Sequence, residues 1–287
     1  MSEIERVGVV GCGLMVSGIA EVCARAGLDV VIREVNETAL AAGRKRIEGS
    51  LDKGVRSGKL PEADRDAALA RLRYTNDFGE FADRQLVVEA VIENEAEKLD
   101  VFRGIDKAVK SDEAILATNT SSIPVMKLAM ATSRPASVLG LHFFNPVPVM
   151  HLVELIPSLL TAPETAARAE AFADNVLGKR VIRSKDRAGF IVNALLIPYL
   201  LSAIRMLESG FATAEDIDSG VVEGLRHPMG PLALTDLIGL DTTIAVSQSL
   251  YEEFKEPLYA PPPLLSRMVE AGLLGRKVGR GFYDYTR

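Results

Sequence analysis

The chain opens on "VGVVGCGLMVSGIAE", Val7 to Glu21, and this stretch constrains the fold more than any other. An apolar β-type run meets two closely spaced glycines and passes straight into a small-residue run of helical character. A strand turning through glycine into a helix is the opening unit of a parallel α/β sheet. In such a turn the first glycine permits the bend and the second lets the backbone approach a pyrophosphate. The third allows close helix–strand contact. Amide groups at the helix terminus then face the phosphates. Gly11 and Gly13 fill the first two roles. The third position holds Val16, whose side chain should meet the strand or crowd the ligand. Gly18 offers a further point of close approach, expected against a neighbouring backbone. The second strand, Val30–Ile32, runs to Glu34. A carboxylate there accepts hydrogen bonds from a ribose diol and repels a 2′-phosphate, favouring NAD over NADP. Arg33 is the one neighbour able to turn toward a phosphate instead.

Residues 37–72 read as a pair of long helices, the second restarting near Pro61, with basic side chains at Arg44, Lys45, Arg46, Lys53, Arg56 and Lys59. Strand signals follow at 85–93 and in "AILATNTSS", "VLGLHFF", "MHLVELI" and "KRVIRS". Helical signals lie in "NEAEKLDVFRGIDKAV" and at 163–176. Repeated strand–helix units imply parallel strands, with ligands bound beyond their carboxyl ends. After "SKDRAGF" the pattern turns helical, at 189–208, 213–223, 233–253 and 262–271. The boundary falls near Lys185–Arg187, giving domains 1–186 and 187–287.

Lys plus Arg number 33 against 39 Asp plus Glu, a formal charge of −6, which argues against a general nucleic-acid partner. Two cysteines, Cys12 and Cys23, make neither a disulfide scaffold nor a cysteine-rich zinc site. The most apolar run, "IVNALLIPYLLSAI", is interrupted by Asn193 and closed by Arg205, too short to span a membrane. No secretory signal pattern is present, so a soluble cytoplasmic protein is expected.

Polar residues gather where strands end. "ATNTSS" carries Asn119, Ser121 and Ser122, and Ser122 before Ile-Pro suits a helix N-cap. "GLHFFNPVPVMHLVE" embeds His142 and Asn145 among aromatics and prolines and sets Glu154 in an apolar strand. A carboxylate so placed is costly without a partner, and a histidine is the natural one. The pair would be an imidazole oriented by a carboxylate, able to take the proton of a secondary alcohol as hydride leaves. His151 is nearer in sequence, but strand geometry puts 151 and 154 on opposite faces. His227, in "LRHPMGP", reads as a structural or domain-contact residue. Asn193 lies in the first turns of an apolar helix, where its amide wants a partner.

"NTSS", "HFFNPVPVMHLVE", "AGFIVN", "HPMGPLALTDLIGLD" and "GRKVGRGFYDY" occur in this order. With them the chain resembles, over essentially its full length, the short, single-function 3-hydroxyacyl-CoA dehydrogenases, and among these the bacterial 3-hydroxybutyryl-CoA dehydrogenases. The resemblance implies an α/β, Rossmann-like N-terminal domain with a helical arm that contacts CoA. It implies a second, all-helical C-terminal domain that contributes to substrate binding and dimerisation. It implies NAD-linked interconversion of L-3-hydroxyacyl-CoA and 3-oxoacyl-CoA. His142 would be the general base and Glu154 its orienting partner. Ser121 and Asn193 would hold the reacting oxygen, with Asn145 nearby. Gly11, Gly13, Leu14, Met15 and Asn119 would line the cofactor site, with Glu34 at the adenosine ribose and Glu93 and Lys98 at the nicotinamide ribose. Ser50 and Lys53 would meet CoA phosphates. The family works as a homodimer through its C-terminal domain, with no metal. The departure is Val16, where the family pattern "GxGxMGxGIA" has glycine; overpacking there is expected to weaken NAD binding without abolishing it. Two rival readings remain at this stage. One is a related dehydrogenase of L-carnitine or of a carrier-bound 3-hydroxyacyl group. The other is an NAD-responsive binding protein without catalysis.

Overall fold

The computed structural model describes residues 4–11 and 13–286; Cys12 of the opening turn lies outside them. The chain divides into two compact units, the first ending at Asp186 and the second beginning at Arg187.

The first unit is built on one eight-stranded sheet. Its strands are β1 (Arg6–Val10), β2 (Asp29–Arg33), β3 (Leu72–Thr75), β4 (Leu86–Glu89), β5 (Ile115–Thr118), β6 (Val138–Phe143), β7 (Leu152–Pro157) and β8 (Arg180–Arg183). Their order is β3-β2-β1-β4-β5-β6-β7-β8. Strands β1, β4, β5 and β6 are buried along almost their whole length, as sheet cores covered on both faces require. The connecting helices are α1 (Leu14–Arg25), α2 (Glu37–Arg56), α3 (Glu62–Ala70), α4 (Glu95–Ala108), α5 (Val125–Ala129) and α6 (Pro163–Ala171), the last continued by a π turn. The order reverses between β1 and β4, so the crevice beyond their carboxyl ends is the natural ligand site.

Two features of this unit differ from the sequence reading. Residues 37–72 do not end as helix: Leu72 opens β3, a short edge strand paired with β2. The sheet is also not wholly parallel, since β6 and β7 run antiparallel. No helix separates them, only the eight residues 144–151, and a short link forces reversal. The resulting register sets His142 directly opposite Glu154. Directly opposed residues of an antiparallel pair project from the same face. The chain reversal is thus what brings these two side chains together.

The second unit holds α7 (Val192–Glu208), α8 (Ala214–Leu225), α9 (Pro231–Ile238), α10 (Leu240–Phe254) and α11 (Pro263–Glu270), packed on Leu201, Ile204, Leu232, Leu240, Leu250 and Leu265. The run 233–253, read as one helix, is two. Gly239, at φ 102°, breaks it with a backbone turn that side-chain-bearing residues rarely adopt. No helix of the described residues is long and apolar enough to cross a membrane.

The C-terminal segment "GRGFYDY" closes on buried Asp236. Its carboxylate accepts from the Phe282 and Tyr283 amides at 2.9 and 3.0 Å and from the Tyr285 hydroxyl at 3.0 Å. Gly281 lies against the same carboxylate, and a Cβ there would overlap it. Gly281→Ala should therefore cost about 3 kcal/mol or more, by overpacking and by loosening three hydrogen bonds at once. A thermal midpoint within about 2 °C of wild type would contradict this packing.

Candidate active site

The opening turn has the form of a phosphate cradle. Gly11 sits at φ +114°, and its amide donates to the Arg33 carbonyl at 2.9 Å. A Cβ on Gly11 would press on Val16 and on the Ala90 carbonyl. Gly13 is different: its φ of −64° suits any residue, and a Cβ there would meet nothing within 4 Å. Protein packing gives no reason for glycine at 13, whereas a closely approaching pyrophosphate does. Helix α1 begins here with no side-chain cap and no acidic residue in its first turn, which suits its amides to an anion. These observations fit NAD.

The Val16 side chain meets the strand side of the turn, with one methyl beside Gly11. It is 1% exposed and packs into the sheet core. Gly18 makes its close approach to the Val147 side chain, not to a backbone as expected. Restoring the family glycine with Val16→Gly should thus destabilise the fold by about 2–4 kcal/mol, from the lost packing and the helix propensity of glycine. NAD affinity should stay within about threefold. A large gain in affinity on that change would show that the valine meets the ligand after all.

Glu34 is buried at the end of β2; one carboxylate oxygen accepts the Val35 amide at 2.8 Å. Arg33 is turned away to its own partners, with its guanidinium 3.9 Å from the Phe78 ring centre and its Nε donating to the Asn76 carbonyl at 3.4 Å. The residue that argued for NADP is therefore engaged elsewhere. Leu14, Val35 and Ile92 are large apolar side chains left well exposed beyond the ends of β1, β2 and β4. Sequence reading missed the last two; exposed apolar residues at strand ends are the signal that finds them. Met15 is partly buried against the core.

The candidate reacting centre is a chain of three side chains. Glu154 Oε2 lies 2.7 Å from His142 Nδ1, and Ser121 Oγ lies 3.1 Å from His142 Nε2. Glu154 is wholly buried, His142 is 5% exposed, and Ser121 is partly exposed. A carboxylate only accepts, so Nδ1 carries a proton and Nε2 is left as the basic nitrogen, facing Ser121. The Phe144 ring packs 4.7 Å from the imidazole. Asn119 Oδ1 accepts the Phe143 amide at 2.8 Å, tying the end of β5 to the residue after His142.

Ser122 is not the N-cap of α5. The cap position is Pro124, and Asp186 supplies the cap from 61 and 60 positions away, its two oxygens accepting the Val125 and Met126 amides at 2.8 Å each. Ser122 and Ser121 instead turn to Glu93. Its Oε1 accepts from Thr120 Oγ1 at 2.5 Å, Ser121 N at 2.9 Å, Ser122 N at 3.0 Å and Ser122 Oγ at 2.9 Å. Burial alone would raise the Glu93 pKa, but Lys98 and these hydroxyl and amide donors outweigh it and hold the carboxyl below its usual range. Lys98 is itself buried, its Nζ 2.6 Å from Glu89 Oε1 and 3.4 Å from Glu93 Oε2. Sequence reading passed over Glu89. Like Glu154, it is a carboxylate in an apolar strand, here Leu86–Glu89, and needs a partner for the same reason.

Asn145 is exposed on the 144–151 link, which Lys179 Nζ holds by donating to the Val147 and Met150 carbonyls at 2.7 Å each. His151 is exposed on the same link. Lys53 is exposed near the end of α2, while the Ser50 hydroxyl is engaged by buried Glu21 of α1. In the second unit, Asn193 lies half-buried in the first turn of α7, and His227 Nδ1 is 3.4 Å from the Tyr199 hydroxyl.

Residues 6–187 match the family model for the 3-hydroxyacyl-CoA dehydrogenase NAD-binding domain, and residues 189–285 match the model for its C-terminal domain. A 3-hydroxybutyryl-CoA dehydrogenase of Mycobacterium tuberculosis is 60% identical over 282 residues, covering 98% of this chain and 99% of that one. The crystal structure of M. tuberculosis FadB2 superposes with a TM-score of 0.98 at 60% identity, over 99% of this chain and 100% of that one. That of (S)-3-hydroxybutyryl-CoA dehydrogenase PaaH1 from Ralstonia eutropha gives 0.94 at 45% identity, over 99% and 100%. With the glycine turn, the Glu34 site and the Ser121–His142–Glu154 chain in place, the conclusion is plain: the chain belongs to the 3-hydroxyacyl-CoA dehydrogenase family.

Proposed function

We propose that the protein is an NAD-dependent dehydrogenase that interconverts short-chain L-3-hydroxyacyl-CoA, chiefly 3-hydroxybutyryl-CoA, and the 3-oxoacyl-CoA. The observation that carries the chemistry is the His142 imidazole held between Glu154 and Ser121 at 2.7 and 3.1 Å. The names of the similar proteins support the acyl-CoA substrate and its short chain.

NAD, when bound, supplies the hydride acceptor in oxidation and, reduced, the hydride donor in reversal. The Gly11–Met15 turn and the α1 amides hold its pyrophosphate, and Glu34 its adenosine ribose. Substrate binds with its 3-hydroxyl at Ser121 and His142. His142 Nε2 takes the hydroxyl proton, and Glu154 stabilises the imidazolium that forms. Ser121 donates to the oxygen as it gains carbonyl character, or negative charge in the reverse direction, and Asn193 is assigned to hydrogen-bond the substrate. In reduction His142 starts protonated and returns the proton to that oxygen. Ser50 and Lys53 of the helical arm are assigned to CoA phosphate contacts, and Asn145 supports the catalytic link. We further assign the chain to a homodimer formed through its second unit, where Leu195, Phe211, Leu225 and Leu237 are exposed apolar side chains.

The test is NADH oxidation with acetoacetyl-CoA, set against longer 3-oxoacyl-CoAs, an acyl-carrier-protein thioester, dehydrocarnitine and NADPH. Activity should be greatest with acetoacetyl-CoA and NADH. Inactivity with every substrate, despite NADH binding, would leave a binding protein instead.

A further inference from the structure

A second buried carboxylate lies behind the reacting centre, and the reaction as described does not use it. Glu89 closes β4 and is wholly buried. Its Oε1 accepts from Lys98 Nζ at 2.6 Å and from the Val91 amide at 2.7 Å. Its Oε2 accepts from Thr118 Oγ1 at 2.7 Å. Buried charge of this kind is expensive, and hydrophobic replacements commonly stabilise a fold as well. Packing alone therefore does not account for it.

Two paths lead from Glu89 to the loop carrying Ser121. One passes through Lys98, whose ammonium sits between Glu89 and Glu93, and Glu93 gathers the Ser121 and Ser122 amides. The other passes through Thr118 Oγ1, which accepts the Thr120 amide at 3.2 Å; Thr120 Oγ1 in turn donates to Glu93 and accepts the Ile123 amide at 2.9 Å. Both converge on residues 120–123, and Ser121 meets the His142 imidazole 3.1 Å away.

We propose that Glu89 is a positioning residue for the reaction: through Lys98–Glu93 and Thr118–Thr120 it fixes the loop that presents Ser121 to His142. The inference rests on the role given to Ser121 above. Without the Glu89 charge, Lys98 has one carboxylate partner fewer and is drawn toward Glu93, away from the geometry in which Glu93 holds the loop. The loss should appear in kcat, because the Ser121 hydrogen bond matters most as charge develops on the substrate oxygen.

The experiment is a double-mutant cycle of Glu89→Gln with Ser121→Ala, read in kcat and in KM for acetoacetyl-CoA on variants whose thermal unfolding shows them folded. In the wild-type background Glu89→Gln should lower kcat about tenfold or more, with KM within about threefold. In the Ser121→Ala background the same change should lower kcat less than about twofold, since its target is gone. Thr118→Val, uncharged and of similar shape, cuts the second path and should show the same dependence on Ser121; it decides the matter if Glu89→Gln does not fold. Equal losses in both backgrounds, or an unchanged kcat, would overturn the inference while leaving the function intact. Ser121→Ala with wild-type kcat would instead remove Ser121 from the reaction, and Glu89's proposed role with it.

Discussion

His142→Asn is expected to lower kcat in both directions by about 10²–10⁴, the usual contribution of a positioned general base. Asparagine is the informative replacement. Its side-chain amide still donates toward Glu154, so the buried carboxylate keeps a partner, whereas alanine would take that donor away and confound catalysis with folding. Asparagine carries nothing at the Nε2 position, so the proton acceptor facing Ser121 is lost. NAD binding, followed by quenching of NADH fluorescence or by calorimetry, should stay within about threefold, because no cofactor contact is assigned to the imidazole. Retained turnover in this variant would remove His142 from the chemistry. Lost NAD binding would show that the residue serves the fold or the cofactor instead.

Glu154→Gln should cost nearly as much, again about 10²–10⁴ in kcat, for a different reason. The residue is wholly buried, and its Oε2 accepts a hydrogen bond from Nδ1 at 2.7 Å. An amide has nearly the same shape, so the hairpin of β6 and β7 should fold. It can also donate to Nδ1, which puts the imidazole proton on Nε2 and leaves no base facing Ser121. It also lacks the charge that stabilises the imidazolium. The variant should keep its thermal midpoint within a few degrees, on the order of a surface substitution, while losing turnover. A variant as active as wild type would mean that the carboxylate serves folding alone.

The parts of this arrangement legible in the sequence are those written in local contrasts. Gly11 and Gly13 stand between an apolar run and a helical one. Glu154 interrupts an apolar strand, and that cost alone asks for a partner such as His142. What could not be read locally depends on pairings far along the chain. The α5 cap comes from Asp186, about sixty positions beyond the amides it satisfies, so Ser122 was the reasonable local candidate. The reversal of β7 against β6 follows from what the 144–151 link lacks, namely a crossover helix, and strand–helix alternation elsewhere masked it. Strand β3 is four residues long at the sheet edge with only Leu72 buried, too little apolar pattern to separate it from the preceding helix. Gly239 does mark its helix break in the sequence, but an isolated glycine in an apolar helical run is ambiguous until its φ of 102° is known. Glu93 shows the deeper limit. Resemblance placed it near the nicotinamide ribose, and the structure adds that one of its oxygens holds the Thr120–Ser122 loop. A residue name carries no record of how many donors surround it.

One measurement bears most directly on the account: the pH dependence of kcat/KM for L-3-hydroxybutyryl-CoA oxidation and for acetoacetyl-CoA reduction on the same enzyme. If the buried imidazole carries the proton, oxidation slows as acidity rises and reduction slows as it falls. One group then governs both limbs in opposite senses, and His142→Asn abolishes both. Profiles that run in the same sense, or limbs that survive in His142→Asn, would contradict the account.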